Sequence, residues 1–303
     1  MESLIYNVVR KQGYRVFPIF RSHMQKSSVF AAIALEVMLT SCNTRVDSIE
    51  YGSNNGKYIN IHGSEIYYEE YGSGPPLLLL QGGNGSIRDF RLCIPELSKR
   101  FHIVAPDTPG QGRSGLADSL SYELMAEYAS EFIDLLGLDS AFVIGWSDGG
   151  NTGLILAYNR PDKIRGVVAS GANYLLSGYP SLLNDTSDWR SEIQSPQFEI
   201  DHKEAIEDYL HNSPTPRDWR KYSLDIHELW HKEVYFSSKI LEGIKVPVMI
   251  VVGDKDDVTL EHAIDMHRRI KGSQFLVLPN TTHMVFEERR DLITKIATDF
   301  FLR

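Results

Sequence analysis

Ala141-Phe142-Val143-Ile144-Gly145-Trp146-Ser147-Asp148-Gly149 is the stretch that decides the fold. A short apolar run of buried-strand type leads into a Gly-x-Ser-x-Gly pentapeptide, and residues 150–158 after it carry a helical pattern. A serine at such a strand-to-helix junction sits on a tight turn that lifts its hydroxyl clear of the sheet. The flanking glycines, Gly145 and Gly149, are needed because a side chain there would collide with neighbouring backbone. The following helix aims its free N-terminal amides at the place where negative charge would develop on a carbonyl oxygen. A plain Gly-Ser turn without chemistry is the alternative, and it leaves the coincidence of strand, turn and helix unexplained.

Working outward, similar apolar runs recur at residues 77–80, 102–105, 167–170, 248–252 and 275–278, each bounded by turn residues. Such runs suit parallel strands covered on both faces. Helical patterns lie between them at residues 122–136, 261–270 and 287–300; in the first, Leu124, Tyr128, Phe132 and Leu135 share a face. Alternating stretches at 58–61 and 66–68, separated by His62-Gly63, predict a hairpin ahead of these strands. The alternation predicts an α/β domain, a mostly parallel sheet wrapped by helices, over residues 57–303. Residues 174–239 hold no convincing strand, are rich in aromatics such as Trp189, Trp219 and Trp230, and are too long for a loop. They predict an inserted helical cap over the strand ends, at about residues 175–240.

A serine hydroxyl is a poor nucleophile at neutral pH; it needs an adjacent base, and the base needs an orienting acid. On a sheet of this kind the chain order is serine, acid, histidine. The run 248–252 ends in Gly253-Asp254-Lys255-Asp256-Asp257, and the run 275–278 ends in Pro279-Asn280-Thr281-Thr282-His283. Both lie just past strand C-termini, where sites in open parallel sheets form. His283 is the expected base. Three aspartates crowd the acid loop, and charges so close do not all face one imidazole; the others act as loop caps or sit in solvent.

On these residues the region 60–303 resembles the α/β-hydrolase family of serine hydrolases. The resemblance implies that the acid lies three residues after the glycine ending its strand, which is Asp256 after Gly253. It implies an oxyanion loop at Gln81-Gly82-Gly83-Asn84-Gly85, where Gln81 stands in place of the usual histidine. The oxyanion donors would be the backbone amides of Gly83 and Asp148, with Asn84 as the alternative to Gly83. Asp107-Thr108-Pro109-Gly110-Gln111-Gly112-Arg113-Ser114 resembles a structural turn that lies beside the site in relatives. Family members that act on haloalkanes and epoxides carry aspartate where Ser147 stands. Serine there implies acyl transfer through a covalent acyl-enzyme, with a small carboxylic ester as the expected substrate. Amides, thioesters and carbon–carbon bonds are the alternatives. No metal or organic cofactor is implied, and a small acyl compound is the expected partner.

Two motifs compete. His227-Glu228-Leu229-Trp230-His231 is an H-E-x-x-H, which on a helix puts both imidazoles on one face, able to hold zinc with Glu228 as base. A zinc metallopeptidase is therefore the rival class. The extended motif needs glycine at 234 and histidine at 237, where Val234 and Ser237 stand, so a chance match on a cap helix is the plainer reading. Gly110-Gln111-Gly112-Arg113-Ser114-Gly115 spells a dinucleotide fingerprint. Pro106 and Pro109 interrupt it, no helix opens after it, and its candidate acid, Asp134, falls within a helical pattern. Cys93, in an apolar stretch, reads as a buried inert thiol. A non-catalytic binding module on the same fold is a third class, since a fold does not guarantee a function.

The 303 residues, 42% apolar and 23% charged, are ordinary for a globular protein. The formal net charge of −9 repels phosphate backbones, so nucleic acid is not an expected partner. Two cysteines, Cys42 and Cys93, make neither a disulfide framework nor a four-thiolate metal site. Residues 24–42 run from a basic start through an apolar segment to Leu39-Thr40-Ser41-Cys42, the layout of a secretory signal. The apolar segment is about a dozen residues, short of the roughly 20 that span a bilayer. The ending resembles the lipobox of bacterial lipoproteins, although Glu36 interrupts the apolar run. It implies a leader over 1–42, a lipid on Cys42 as the sole membrane contact, and a bacterial cell-envelope location; a cytoplasmic protein is the alternative. Residues 43–56, rich in Asn, Ser and Gly, read as a tether.

Overall fold

The computed structural model describes residues 48–117 and 119–303. The expected leader, with Cys42, and residues 43–47 of the expected tether lie outside the described residues. Among the described residues no helix is long and apolar enough to cross a membrane. Residues 48–56 are held against the domain. Ile49 N donates to the Arg91 carbonyl at 3.0 Å, Gly52 N donates to Glu69 Oε1 at 2.7 Å, and the Tyr51 hydroxyl donates to Asp107.

Eight strands are described: β1 (Lys57–Ile61), β2 (Ser64–Tyr71), β3 (Pro76–Leu80), β4 (His102–Pro106), β5 (Ala141–Trp146), β6 (Ile164–Ser170), β7 (Val248–Gly253) and β8 (Gln274–Leu278). They form one sheet in the order β1-β2-β4-β3-β5-β6-β7-β8. The β1/β2 hairpin and the β2/β4 pair are antiparallel, and every other pair is parallel. The strand order reverses around β3 and β5, and the Gly-x-Ser-x-Gly turn leaves the C-terminal end of β5 there.

Helices cover both faces: α1 (Ile94–Leu97), α2 (Tyr122–Leu135) and α3 (Asp148–Asn159) come before β6. The strands are apolar throughout because successive side chains feed two different cores. Leu78, Leu80, Val143, Val167 and Ile250 pack with Phe132, Leu154 and Met266 on one side. Leu77, Leu79, Ile144, Val168 and Val251 pack with Ile94, Leu97 and Ile293 on the other. Burying each such side chain contributes roughly 1.5–3 kcal/mol. In α2 the buried residues are Tyr122, Met125, Ala126, Tyr128, Ala129, Phe132 and Ile133. Of the four residues expected on the inner face, Tyr128 and Phe132 are buried and Leu124 packs partly buried against the core, whereas Leu135 is 56% exposed. Alanines and a methionine complete the stripe, and hydropathy alone ranks them below leucine.

Between β6 and β7 lies a helical insertion with α4 (Pro180–Leu183), α5 (Trp189–Gln194), α6 (Pro196–Asp201), α7 (Lys203–Asn212) and α8 (Trp219–Trp230). Its two ends meet at a narrow neck. Leu175 and Val234 form an isolated antiparallel bridge, and Tyr235 N donates to the Tyr174 carbonyl at 3.0 Å. The chain then returns to the body through α9 (Ser238–Gly243), whose Leu241 is fully buried, and continues with α10 (Leu260–Arg269), α11 (Val285–Glu288) and α12 (Arg290–Phe301).

Candidate active site

Ser147 has φ 53° and ψ −118°, a strained conformation for a residue with a side chain. The glycines around it make that turn feasible. A Cβ at Gly145 would lie 2.2 Å from the Gly149 carbonyl oxygen, and one at Gly149 would lie 2.0 Å from the Leu80 carbonyl oxygen. The turn is fixed from below by Ser147 N, which donates to the Ser170 carbonyl at 2.8 Å. Its strain, of order 1–3 kcal/mol, is held by the sheet on both sides.

The three aspartates of the β7 loop separate by geometry. Asp256, its side chain fully buried, bonds His283 Nδ1 through Oδ1 at 2.7 Å. The same carboxylate accepts from Val258 N at 3.0 Å and Gly253 N at 3.4 Å, so its orientation is set by its own loop. Asp254 accepts from Thr281 N at 3.0 Å and ties the acid loop to the histidine loop. Asp257 is exposed. The bond to Asp256 puts the proton of neutral His283 on Nδ1 and leaves Nε2 as an acceptor.

The histidine loop is braced on further sides. Trp146 Nε1 donates to the His283 carbonyl at 2.8 Å, and Thr282 bonds Glu288 through both its amide and its hydroxyl. Gly171, at φ 59° just after β6, makes room for the ring: a Cβ there would lie 2.6 Å from His283 Cε1. Trp146 and Gly171 were missed in the sequence. The former is an unconstrained position of the pentapeptide, and the latter follows a strand with no motif of its own.

Gly83 and Asp148 line the same cavity as the serine. Neither amide donates to another group among the described residues. Asn84 N donates instead to the Tyr222 hydroxyl at 3.3 Å, so of the two alternatives Gly83 has the free amide. Gln81 takes a structural part: with its amide in the orientation that its neighbours satisfy, the nitrogen donates to the Pro106 carbonyl at 2.9 Å and the oxygen accepts from Thr108 N at 2.6 Å. This joins the Gly82–Gly83 loop to the turn that starts at Asp107. There Asp107, fully buried, accepts from Ile87 N at 2.9 Å and Arg113 N at 2.8 Å. Burial pushes its carboxyl up to about 6, against the pull of these donors.

Ser147, His283, Gly83 and Asp148 line one cavity of about 190 Å³, walled by Trp146, Tyr179, Tyr235 and Trp230. Ser147 Oγ and His283 Nε2 form no hydrogen bond with each other or with any other group among the described residues. Such contacts often tighten only when substrate is bound. The Asp148 side chain is buried, accepting from the Tyr122 hydroxyl at 2.7 Å and from Trp230 Nε1 at 2.9 Å. Burial raises its carboxyl above the ordinary carboxylate range, opposed by these two donors.

The rival motifs are used otherwise. His227 and His231 do lie one helical turn apart, but both rings stack on Trp189, at 5.7 and 5.0 Å between centroids. Glu228 faces solvent and pairs with Arg190. Among the described residues neither histidine belongs to a cluster of three ligand-type side chains. The Gly110–Gly115 stretch closes on itself, Gly110 N donating to the Gly115 carbonyl at 2.8 Å, and Asp134 pairs with Arg160 at 2.8 Å. Cys93 is fully buried, and burial pushes its thiol up to about 12.

A parallel sheet with a strained serine after its fifth strand, and an Asp-His pair carried by its last two loops, defines a class that comparison with known proteins names. The chain belongs to the α/β-hydrolase fold family, whose model matches residues 75–290. Among curated proteins it is similar to the human serine hydrolase BPHL, 29% identical over 255 residues, covering 80% of this chain and 84% of the relative. It is also similar to the pimeloyl-[acyl-carrier protein] methyl ester esterase of Neisseria meningitidis, 25% identical over 245 residues, covering 73% and 75%. Among solved structures, the enol-lactonase of Burkholderia xenovorans LB400 superposes with a TM-score of 0.66 at 20% identity, covering 82% of this chain and all of the other. The protein is thus an α/β hydrolase with serine-hydrolase and esterase relatives.

Proposed function

We propose that this protein hydrolyses a small carboxylic ester through a covalent acyl-enzyme, with Ser147 as nucleophile, His283 as general base and Asp256 as the orienting acid. The observation that carries the reading is the 2.7 Å bond from His283 Nδ1 to buried Asp256, in a cavity that also holds the strained Ser147. His283 Nε2 takes the Ser147 proton as Oγ attacks the ester carbonyl. The amides of Gly83 and Asp148 receive the oxyanion. The imidazolium, stabilised by Asp256, returns its proton to the departing alkoxide, and the alcohol leaves. Water, activated by the same imidazole, then attacks the acyl-enzyme, releases the acid and regenerates Ser147.

Esters are favoured over amides, thioesters and carbon–carbon bonds because one relative is named as a methyl ester esterase. The test is a panel of short alkyl esters followed by acid release, run on the parent, on Ser147→Ala and after chelation. Turnover that vanishes in Ser147→Ala and survives chelation supports the reading; turnover at the parent rate in Ser147→Ala refutes it.

The Leu39-Thr40-Ser41-Cys42 ending supports a further reading, a lipid anchor on Cys42 in a bacterial envelope. Cys42→Ala should then shift the protein from the membrane to the soluble fraction; a protein already soluble before substitution contradicts it.

A further inference from the structure

The residue after the serine carries a side chain as well as an amide. The Asp148 carboxyl group is buried, 5% exposed, with one oxygen bonded to the body and the other to the cap. Oδ1 accepts from the hydroxyl of Tyr122, the first residue of α2, at 2.7 Å. Oδ2 accepts from the indole nitrogen of Trp230, the last residue of α8, at 2.9 Å. A buried carboxyl group is costly without such partners, and a donor on each oxygen fixes its plane. The first turn of α3, which carries it, is held with it.

The same two side chains close on Gly83. A Cβ on that glycine would lie 2.4 Å from Asp148 Oδ2 and 2.4 Å from the Trp230 ring. The bare face of Gly83 is therefore packed against the very bond that joins cap to body. Trp230 is pinned in turn. Its carbonyl accepts from the Tyr235 hydroxyl at 2.6 Å, and the Tyr235 ring leans on Tyr122 at 5.3 Å between centroids. Tyr122, Asp148, Trp230 and Tyr235 thus close a circuit through α2, the start of α3, the end of α8 and the neck.

We propose that Trp230 is a positioning residue for the oxyanion hole: acting through the Asp148 carboxyl group, it holds the amides of Gly83 and Asp148 where the oxyanion forms. This rests on the proposed ester hydrolysis at Ser147. Without the indole donor, Oδ2 is left unpaired against Gly83, and an unpaired buried acceptor draws a donor to itself. The free amide on the residue it touches is that of Gly83, the one an oxyanion needs. By this route one side chain of the cap bears on the chemistry below it.

The test uses butyl trifluoromethyl ketone and the alcohol of the same skeleton. On the ketone, Ser147 Oγ bonds to the carbonyl carbon, its proton passes to His283 Nε2, and the carbonyl electron pair becomes an oxyanion. The alcohol fills the same space and forms none. The affinity of each is read as protection of Ser147 from a fluorophosphonate, in the full chain and in Trp230→Phe, which keeps a ring and removes the donor. Ketone affinity should fall about tenfold while alcohol affinity stays within about twofold. For methyl butanoate, kcat should fall about tenfold with KM unchanged. Added to Asp148→Leu, Trp230→Phe should cost less than about twofold more, since its route is already gone. Ketone and alcohol weakened alike, or neither weakened, or losses that multiply in the double variant, overturn the positioning role and leave ester hydrolysis standing. A selective loss of ketone affinity in a protein that turns over no ester overturns the ester reading and keeps the positioning role.

Discussion

The loops at the strand ends and the cap above them meet at one cavity but are held in different ways. Below, each side chain of the proposed triad is held by its surroundings: Asp256 by its own loop, His283 through Trp146 and Asp256, Ser147 by the sheet under it. Above, short helices rise from a neck at Leu175 and Val234 and expose large apolar side chains such as Leu183, Ile200 and Leu210. Tyr209, His227 and His231, three of the five buried side chains with an unpaired polar atom among the described residues, belong to the cap. Proton transfer requires groups placed within about 0.5 Å, and fixed strand ends provide that. Under the proposed function, the difference gives chemistry to the lower half and contact with the substrate body to the upper.

Substitutions can break or sharpen this division. The largest effect is expected at Asp256: Asp256→Asn should lower kcat roughly 10⁴-fold in a steady-state ester assay, because the imidazole loses its orienting acid. Exposed Asp257→Asn should stay within about threefold. Equal losses in both would mean that the acid has been misassigned. Next comes Gly149→Ala, which drives a Cβ to 2.0 Å from the Leu80 carbonyl oxygen. It should cost about 3 kcal/mol or more in urea unfolding, and a parent-like midpoint would show that the turn is not close-packed. Trp146→Phe keeps the ring and removes the donor to the His283 carbonyl. A fall of about tenfold in kcat with KM unchanged is expected, the signature of a misplaced base. The smallest effect belongs to the cap surface: Ile200→Ser, at 67% exposure, should move stability by less than about 0.5 kcal/mol.

The same division explains what the sequence disclosed. The strands were legible because double-sided burial demands uninterrupted apolar runs, and Ser147 because its turn demands two glycines at fixed offsets. The choice of Asp256 among three aspartates came from the family resemblance; spacing in the loop does not show which carboxylate faces the imidazole. The cap was legible chiefly as the place where strands stop. Its H-E-x-x-H satisfies the metal pattern on paper, yet the helix turns both imidazoles onto Trp189 and sends Glu228 to Arg190. Trp146 reaches a carbonyl 137 residues further along the chain, a contact that no local pattern announces.

The central claim is that Ser147 is a nucleophile activated by His283. The direct test is to treat the folded protein with a fluorophosphonate and locate the adduct by peptide mass spectrometry. One phosphonyl group on Ser147, lost in Ser147→Ala and formed far more slowly in His283→Ala, is the predicted result. An unlabelled Ser147 in active protein, or labelling that proceeds as fast without His283, would contradict the account.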